Sequence, residues 1–147
     1  KAALVNTAAR LTLWELHAKY AVGNFDLQAL YARGSFTDTE AMNSAAGLAA
    51  GSNKAAPNSF YGWYGQAAYH VWKSGDYDLA PFARYERYNT QNTVADGYTT
   101  DPLNDETVTT VGMNFRLHPQ VVVKADMQNY KTDDRKDRVN LGVGYMF

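Results

Sequence analysis

Apolar and polar positions alternate with period two along most of this chain. That spacing predicts β-strands, whose successive side chains point to opposite faces. Seven strand-like runs are legible, near 9–21, 25–36, 59–72, 77–90, 106–117, 121–131 and 138–147. Soluble strands average about 5–6 residues; a tilted strand that crosses a bilayer needs about 9–11, and these runs reach that length. The connections alternate between short and long. Gly23-Asn24, Ser74-Gly75-Asp76 and His118-Pro119-Gln120 have the chemistry of tight turns. Longer connections fall near 37–58, 91–105 and 132–137. In the first of these the alanine-rich stretch from Ala41 to Ala50 suits a surface loop or a short helix.

Pairing across each tight turn sorts the side chains into two faces. If Val22 pairs with Phe25, then Leu16 faces Tyr31, Ala18 faces Ala29 and Tyr20 faces Leu27, while Lys19 meets Gln28 on the other side. Lys73 opposite Tyr77 sets Val71 by Leu79, Tyr69 by Pro81 and Ala67 by Ala83. Behind them Gln66 meets Arg84 and Tyr64 meets Glu86. Leu117 opposite Val121 sets Phe115 by Val123, Met113 by Ala125 and Val111 by Met127, with Asn114 by Lys124 and Gly112 by Asp126 behind. In the last run Val139, Leu141, Val143, Tyr145 and Phe147 form the apolar series. Each strand therefore has an apolar face and a polar one.

A soluble barrel turns its apolar face inward, and a membrane barrel turns it out to lipid. Glycines and charges of both signs on the polar face favour the second arrangement. So do the aromatics. Tyr20, Phe25, Trp72, Tyr77, Phe115 and Phe147 fall near the short-turn ends, and Tyr31, Phe60, Tyr61, Tyr88 and Tyr130 near the long-loop ends. Two such girdles are what membrane interfaces select. The expected fold class is all-β, an antiparallel up-and-down meander forming all or part of a transmembrane β-barrel, with residues 1–147 as one domain. Single-chain bacterial barrels have even strand numbers. Seven strands would leave Lys1 and Phe147 on opposite sides, so the expectation is the C-terminal portion of a larger barrel. An eight-stranded barrel with one unread strand is the alternative.

Composition narrows the classes. The chain has 147 residues, no cysteine, and fourteen Lys and Arg against fifteen Asp and Glu. That excludes a disulfide framework and gives no basic bias toward nucleic acid. The longest stretches without a polar residue span seven positions, Ala45–Gly51 and Leu141–Phe147, far short of the ~20 of a membrane helix.

The three histidines, His17, His70 and His118, lie on three different hairpins, and no Gly-x-Ser-x-Gly elbow is present. Neither an enzyme nor a metal site is expected, and no cofactor is implied. Asp101, Asn104, Asp105 and Glu106 are oxygen donors without EF-hand spacing. They read as a solvated loop, as does the charge run Asp133–Asp137. The candidate functional surface is the polar face: Glu15, His17, Lys19, Gln66, His70, Arg84, Glu86, Asn114, Arg116, Lys124, Asp126 and Arg138. As a pore lining these groups set a field in a low-dielectric wall. Five bases against three acids predict a weak anion preference. Arg10, Arg33 and Arg87 have the parity of the apolar face but lie toward the long-loop ends. There charge costs only about 0–1 kcal/mol, and Arg forks bind phosphate well. They form a candidate rim for lipopolysaccharide.

The final strand, with Leu141, Val143, Tyr145 and a terminal Phe147, resembles the closing strand of Gram-negative outer-membrane barrels. The hairpin from Val108 to Asp126 and the segment Leu79-Ala80-Pro81-Phe82-Ala83-Arg84-Tyr85-Glu86 resemble porins related to the phosphate-selective type. The resemblance covers residues 59–147 well and 9–36 loosely, and its motifs are structural. It implies a porin of the bacterial cell outer membrane passing small hydrophilic solutes or ions by passive diffusion. It also implies recognition of Phe147 by the outer-membrane assembly machinery, contact with outer-membrane lipid, and a homotrimer. The rival readings are a small eight-stranded anchor or adhesion barrel without an open pore, and a soluble ligand-binding β-barrel.

Overall fold

The computed structural model describes residues 8–147. The part of the expected 1–147 domain that falls on residues 1–7 lies outside the described residues. The described chain is a single antiparallel meander of eight strands with one short α-helix and two single 3-10 turns, Pro102–Asn104 and Asp134–Lys136. The strands are β1 (Leu11–Val22), β2 (Phe25–Phe36), β3 (Pro57–Tyr69), β4 (Trp72–Ser74), β5 (Tyr77–Val94), β6 (Asp105–His118), β7 (Val121–Tyr130) and β8 (Arg138–Tyr145). They lie in the order β1-β2-β3-β5-β6-β7-β8, with β4 paired to β5. The path ends on β1 and β8.

Eight strands replace the expected seven because the 59–72 run is broken, and the turn beside it explains the break. Gly75 has φ +59°, the left-handed conformation of a two-residue hairpin turn. Ser74 therefore pairs with Tyr77, one residue away from the Lys73–Tyr77 pairing that a three-residue turn would give. The shift is absorbed just upstream. Val71 N donates to Leu79 O (3.0 Å) while Trp72 is the Cα partner of Leu79. Two residues thus oppose one, which is a β-bulge. The last tight turn repeats the device. His118, and not Leu117, pairs with Val121, and the register shifts between Arg116 and His118. Beyond that shift the pairing is the expected one: Phe115 with Val123, Asn114 with Lys124, Met113 with Ala125, Gly112 with Asp126 and Val111 with Met127. β8 continues it, with Val143 opposite Val123 and Leu141 opposite Ala125.

The helix α1 (Thr39–Ala45) begins ahead of the alanine-rich stretch and ends inside it. Composition alone would centre it later. Its place is set by buried Asn43, whose Oδ1 accepts from Ala56 N (2.7 Å), and by Thr39, which donates to Asn58. Gly47, at φ +69°, stops it.

The contacts divide the chain into two compact units. A loop-bearing unit comprises the described residues up to Leu16 with Tyr31–Trp63 and Arg87–Glu106; a turn-bearing unit comprises His17–Leu30, Tyr64–Glu86 and Thr107–Phe147. In the turn-bearing unit the buried residues are Ala68, Asp78, Ala80, Phe82, Val108, Thr110, Asp126 and Tyr130. Those of β5 to β7 share the parity of Arg84, Glu86, Asn114 and Lys124, so the covered face is the polar face. The apolar series is exposed: Val139 at 73%, Leu141 at 82% and Val143 at 74%. Gly112 shows how tightly the covered face is packed. A Cβ there would stand 2.6 Å from Asp126 Cβ and 2.7 Å from the Phe82 ring. In the loop-bearing unit Gly34 lies directly under the Phe60 ring, which any side chain would displace.

Candidate functional site

The most developed polar constellation sits at the start of β5. The bulge between β3 and β4 leaves His70 outside both strands, beside Asp78 of β5 and Asp26 of β2. Its Nδ1 donates to Asp78 Oδ1 (2.6 Å) and its Nε2 to Asp26 Oδ2 (2.9 Å). Both ring nitrogens meet an ionisable oxygen, an arrangement suited to an imidazolium. Arg116 of β6 reaches the second oxygen of Asp78 at 3.7 Å. These four groups line one side of a cavity of about 480 Å³, to which Gln28, Gln66 and Asn114 also contribute.

Two further ion pairs lie on this face. Arg84 meets Glu86 at 2.9 Å and stacks over the Tyr64 ring at 3.8 Å. Lys124 meets Asp126 at 3.2 Å, and Asp126 also accepts from Asn140 Nδ2 (2.8 Å). Arg138 donates to Gln128 Oε1 (2.7 Å) and Tyr130 Oη (2.8 Å). In the loop after β7, Asp133 accepts from Arg135 at 2.7 and 3.2 Å. The hydrogen-bonded guanidinium holds the Asp133 carboxyl below its ordinary range, and Asp133 in turn raises Arg135.

In the loop-bearing unit uncharged groups hold the long connections. Gln91 of β5 is buried, and its Nε2 donates to Ala55 O (2.7 Å) and Asn53 O (3.1 Å). Its Oε1 accepts from Asp101 N (2.6 Å) and Asn104 Nδ2 (3.0 Å). One amide thus ties the 37–58 and 95–104 connections to the sheet. Ser59 hydrogen-bonds Thr93 (2.7 Å) and accepts from Asn92 (3.0 Å).

The expected polar-face residues divide by strand. Gln66, His70, Asn114 and Arg116 converge on the cavity; Arg84, Glu86, Lys124 and Asp126 form the two ion pairs; Arg138 lies on β8. Glu15, His17 and Lys19 lie on β1, which is exposed on both faces. His118 stands apart in its turn, its Nδ1 accepting from Gln120 N (3.4 Å). Of the rim residues, Arg10 and Arg33 are exposed, while Arg87 grips Asp105 through two hydrogen bonds of 2.9 and 3.2 Å. The acidic loop donors do not converge. Asp101 accepts from Leu103 N (3.0 Å), Asp105 serves Arg87, and Glu106 is 0% exposed. Among the described residues no cluster of His, Cys, Asp and Glu could hold a metal ion.

Two expectations change. Phe60 and Tyr130 are not on the exposed face of the long-loop girdle: Phe60 packs on Gly34, and buried Tyr130 serves Gln128 and Arg138. The short-turn group is a real cluster, with Trp72, Tyr77 and Phe115 ring centroids 6.1 to 6.4 Å apart. The charge balance also changes. Asp26, Asp78 and Glu106 belong to the polar face and bring its carboxylates to six, against five Lys and Arg and the His70 imidazolium, which leaves no excess of cations to favour an anion. Their even numbers, shared with Gln28, Arg84 and Asn114, were the available signal. Asp26 and Asp78 stand so close to tight turns that a one-residue error in register hides them.

No known protein family matches the chain, and no solved structure does. A curated relative, an uncharacterized protein of Aquifex aeolicus (strain VF5), is 30% identical over 95 residues. The match covers 62% of this chain and 22% of that protein, so the chain matches about a fifth of the relative's length.

Proposed function

We propose that this chain forms part of the wall of an outer-membrane porin, through which small hydrophilic solutes and ions diffuse passively. The observation that carries the reading is the inverted burial. On β6 and β7, which have neighbours on both sides, Val111, Met113 and Met127 are exposed at 46–53%, while Asp126 on the opposite face is at 7% and Glu106 at 0%. Water penalises so large an apolar surface, and lipid rewards it. The stacked Trp72, Tyr77 and Phe115 suit one interfacial belt. The end strands β1 and β8 leave room for further strands, and β4, three residues long, is no full-length stave. These points favour a wide barrel over an eight-stranded anchor. In this reading Phe147 addresses the assembly machinery, Arg10 and Arg33 meet lipopolysaccharide, and the barrel assembles as a trimer.

The test is charge placement. Val111→Arg or Val143→Arg should impair folding into bilayers by about 2–4 kcal/mol near the midplane, while Asn114→Arg folds as the parent does. Equal folding of both classes, or a folded chain that stays in solution without detergent, would overturn the reading. Conductance across planar bilayers then separates a pore from a closed anchor.

A further inference from the structure

We infer that the cavity in the turn-bearing unit is a binding site for a neutral polyhydroxylated solute, held by the side-chain amides of Gln28, Gln66 and Asn114. These three half-buried residues come from β2, β3 and β6 and line one space of about 480 Å³. That is within the roughly 300–1,000 Å³ of small-molecule sites. Among the described residues none of the three amides has a hydrogen-bond partner in the protein, in contrast to Gln91, Gln128 and Asn140, whose amides are all engaged. A side-chain amide offers two donors and an acceptor; facing the cavity these are met by water, so a ligand that displaces the water must match them. A hydroxyl both donates and accepts, so a ring carrying several hydroxyls can satisfy three amides together.

Charge argues for neutrality. The ionised groups that share the cavity, Asp26, Asp78, His70 and Arg116, satisfy one another at 2.6 to 3.7 Å. With the imidazolium they are two cations against two anions. Opposite charges at such distances act as dipoles, whose field decays faster than that of a net charge, so neither an anion nor a cation is strongly selected. Ala68 and Ala80, both buried, line the cavity with small apolar surface and leave room for a ring.

The inference rests on the porin reading only for how solute reaches the site; binding and conduction are measured separately. The folded full chain in an amine-oxide detergent is titrated with maltose by saturation-transfer NMR, and in parallel with inorganic phosphate. Saturable maltose binding should change less than about twofold between low and high KCl, since a neutral ligand is not screened. Gln66→Ala and Asn114→Ala should each weaken it by about five- to tenfold, with strand content unchanged, while Val111→Ala on the opposite face leaves it as it was. Absence of saturable maltose binding, equal binding by the amide variants, or tighter phosphate binding that weakens with salt overturns the site. A chain that conducts without binding maltose loses this inference and keeps the porin reading; one that binds maltose without conducting loses the porin reading alone.

Discussion

Gln91 and Asp78 are both buried polar side chains on β5, one in the loop-bearing unit and one in the turn-bearing unit. Their surroundings differ in kind. Gln91 satisfies backbone carbonyls, a backbone N–H and another amide, all uncharged. Asp78 accepts from His70 and meets Arg116, in a group where every member is ionisable. The reason lies in what each has to hold. Long connections bring many unpaired backbone groups that a neutral amide can match one for one. Tight turns leave few such groups, and what remains near them are side chains from neighbouring strands, which here carry charge. The covered face is polar in both units, but the groups around Gln91 are uncharged and those around Asp78 are charged.

Removing a charge should therefore cost more in the turn-bearing unit than removing an amide costs in the loop-bearing one. Asp78→Ala strips His70 and Arg116 of a shared partner and should destabilise by about 3–5 kcal/mol, the cost of breaking a covered ion pair. Urea unfolding in detergent, followed by Trp72 fluorescence with Trp14 and Trp63 replaced by Phe, reads the effect. A loss below that of the Gln91 variant would break the comparison. Gln91→Ala leaves Ala55 O and Asp101 N without their partner and should cost about 1–3 kcal/mol. Limited proteolysis sharpens this case, because cleavage should rise within 46–56 and 95–104 and stay unchanged in the 131–137 turn.

The smallest effect is expected at Asp133, in the loop after β7. Its carboxyl is held below its ordinary value by Arg135 and Lys136. A lowered value in the folded chain means that the pair contributes its full stability above the ordinary aspartate range. The contribution is lost as the pH falls through the lowered value. Asp133→Asn should shift the unfolding midpoint slightly at neutral pH, and variant and parent should converge in strong acid. A gap that widens on acidification would reverse the assignment.

Much of this fold was legible in the order of the residues. Strand identity and the sorting of Val111, Met113 and Phe115 away from Gly112 and Asn114 follow from period two alone, because the side-chain alternation of a strand allows no other grouping. The face carrying Arg84, Glu86, Lys124 and Asp126 was legible for the same reason. Register at the turns was not. Gly75-Asp76 and a three-residue Ser74-Gly75-Asp76 are equally good turn sequences, and only the pairing of Trp72 with Leu79 decides between them. That single residue, absorbed as a bulge, is what sets His70 between Asp26 and Asp78. Nor could spacing find Gln91, whose four partners come from two separate connections. Local alternation is a property of a strand and can be read along it. Which carboxylate meets which cation, and which amides are left without partners, depends on distances between residues far apart in the chain, and those exist only once the sheet has formed.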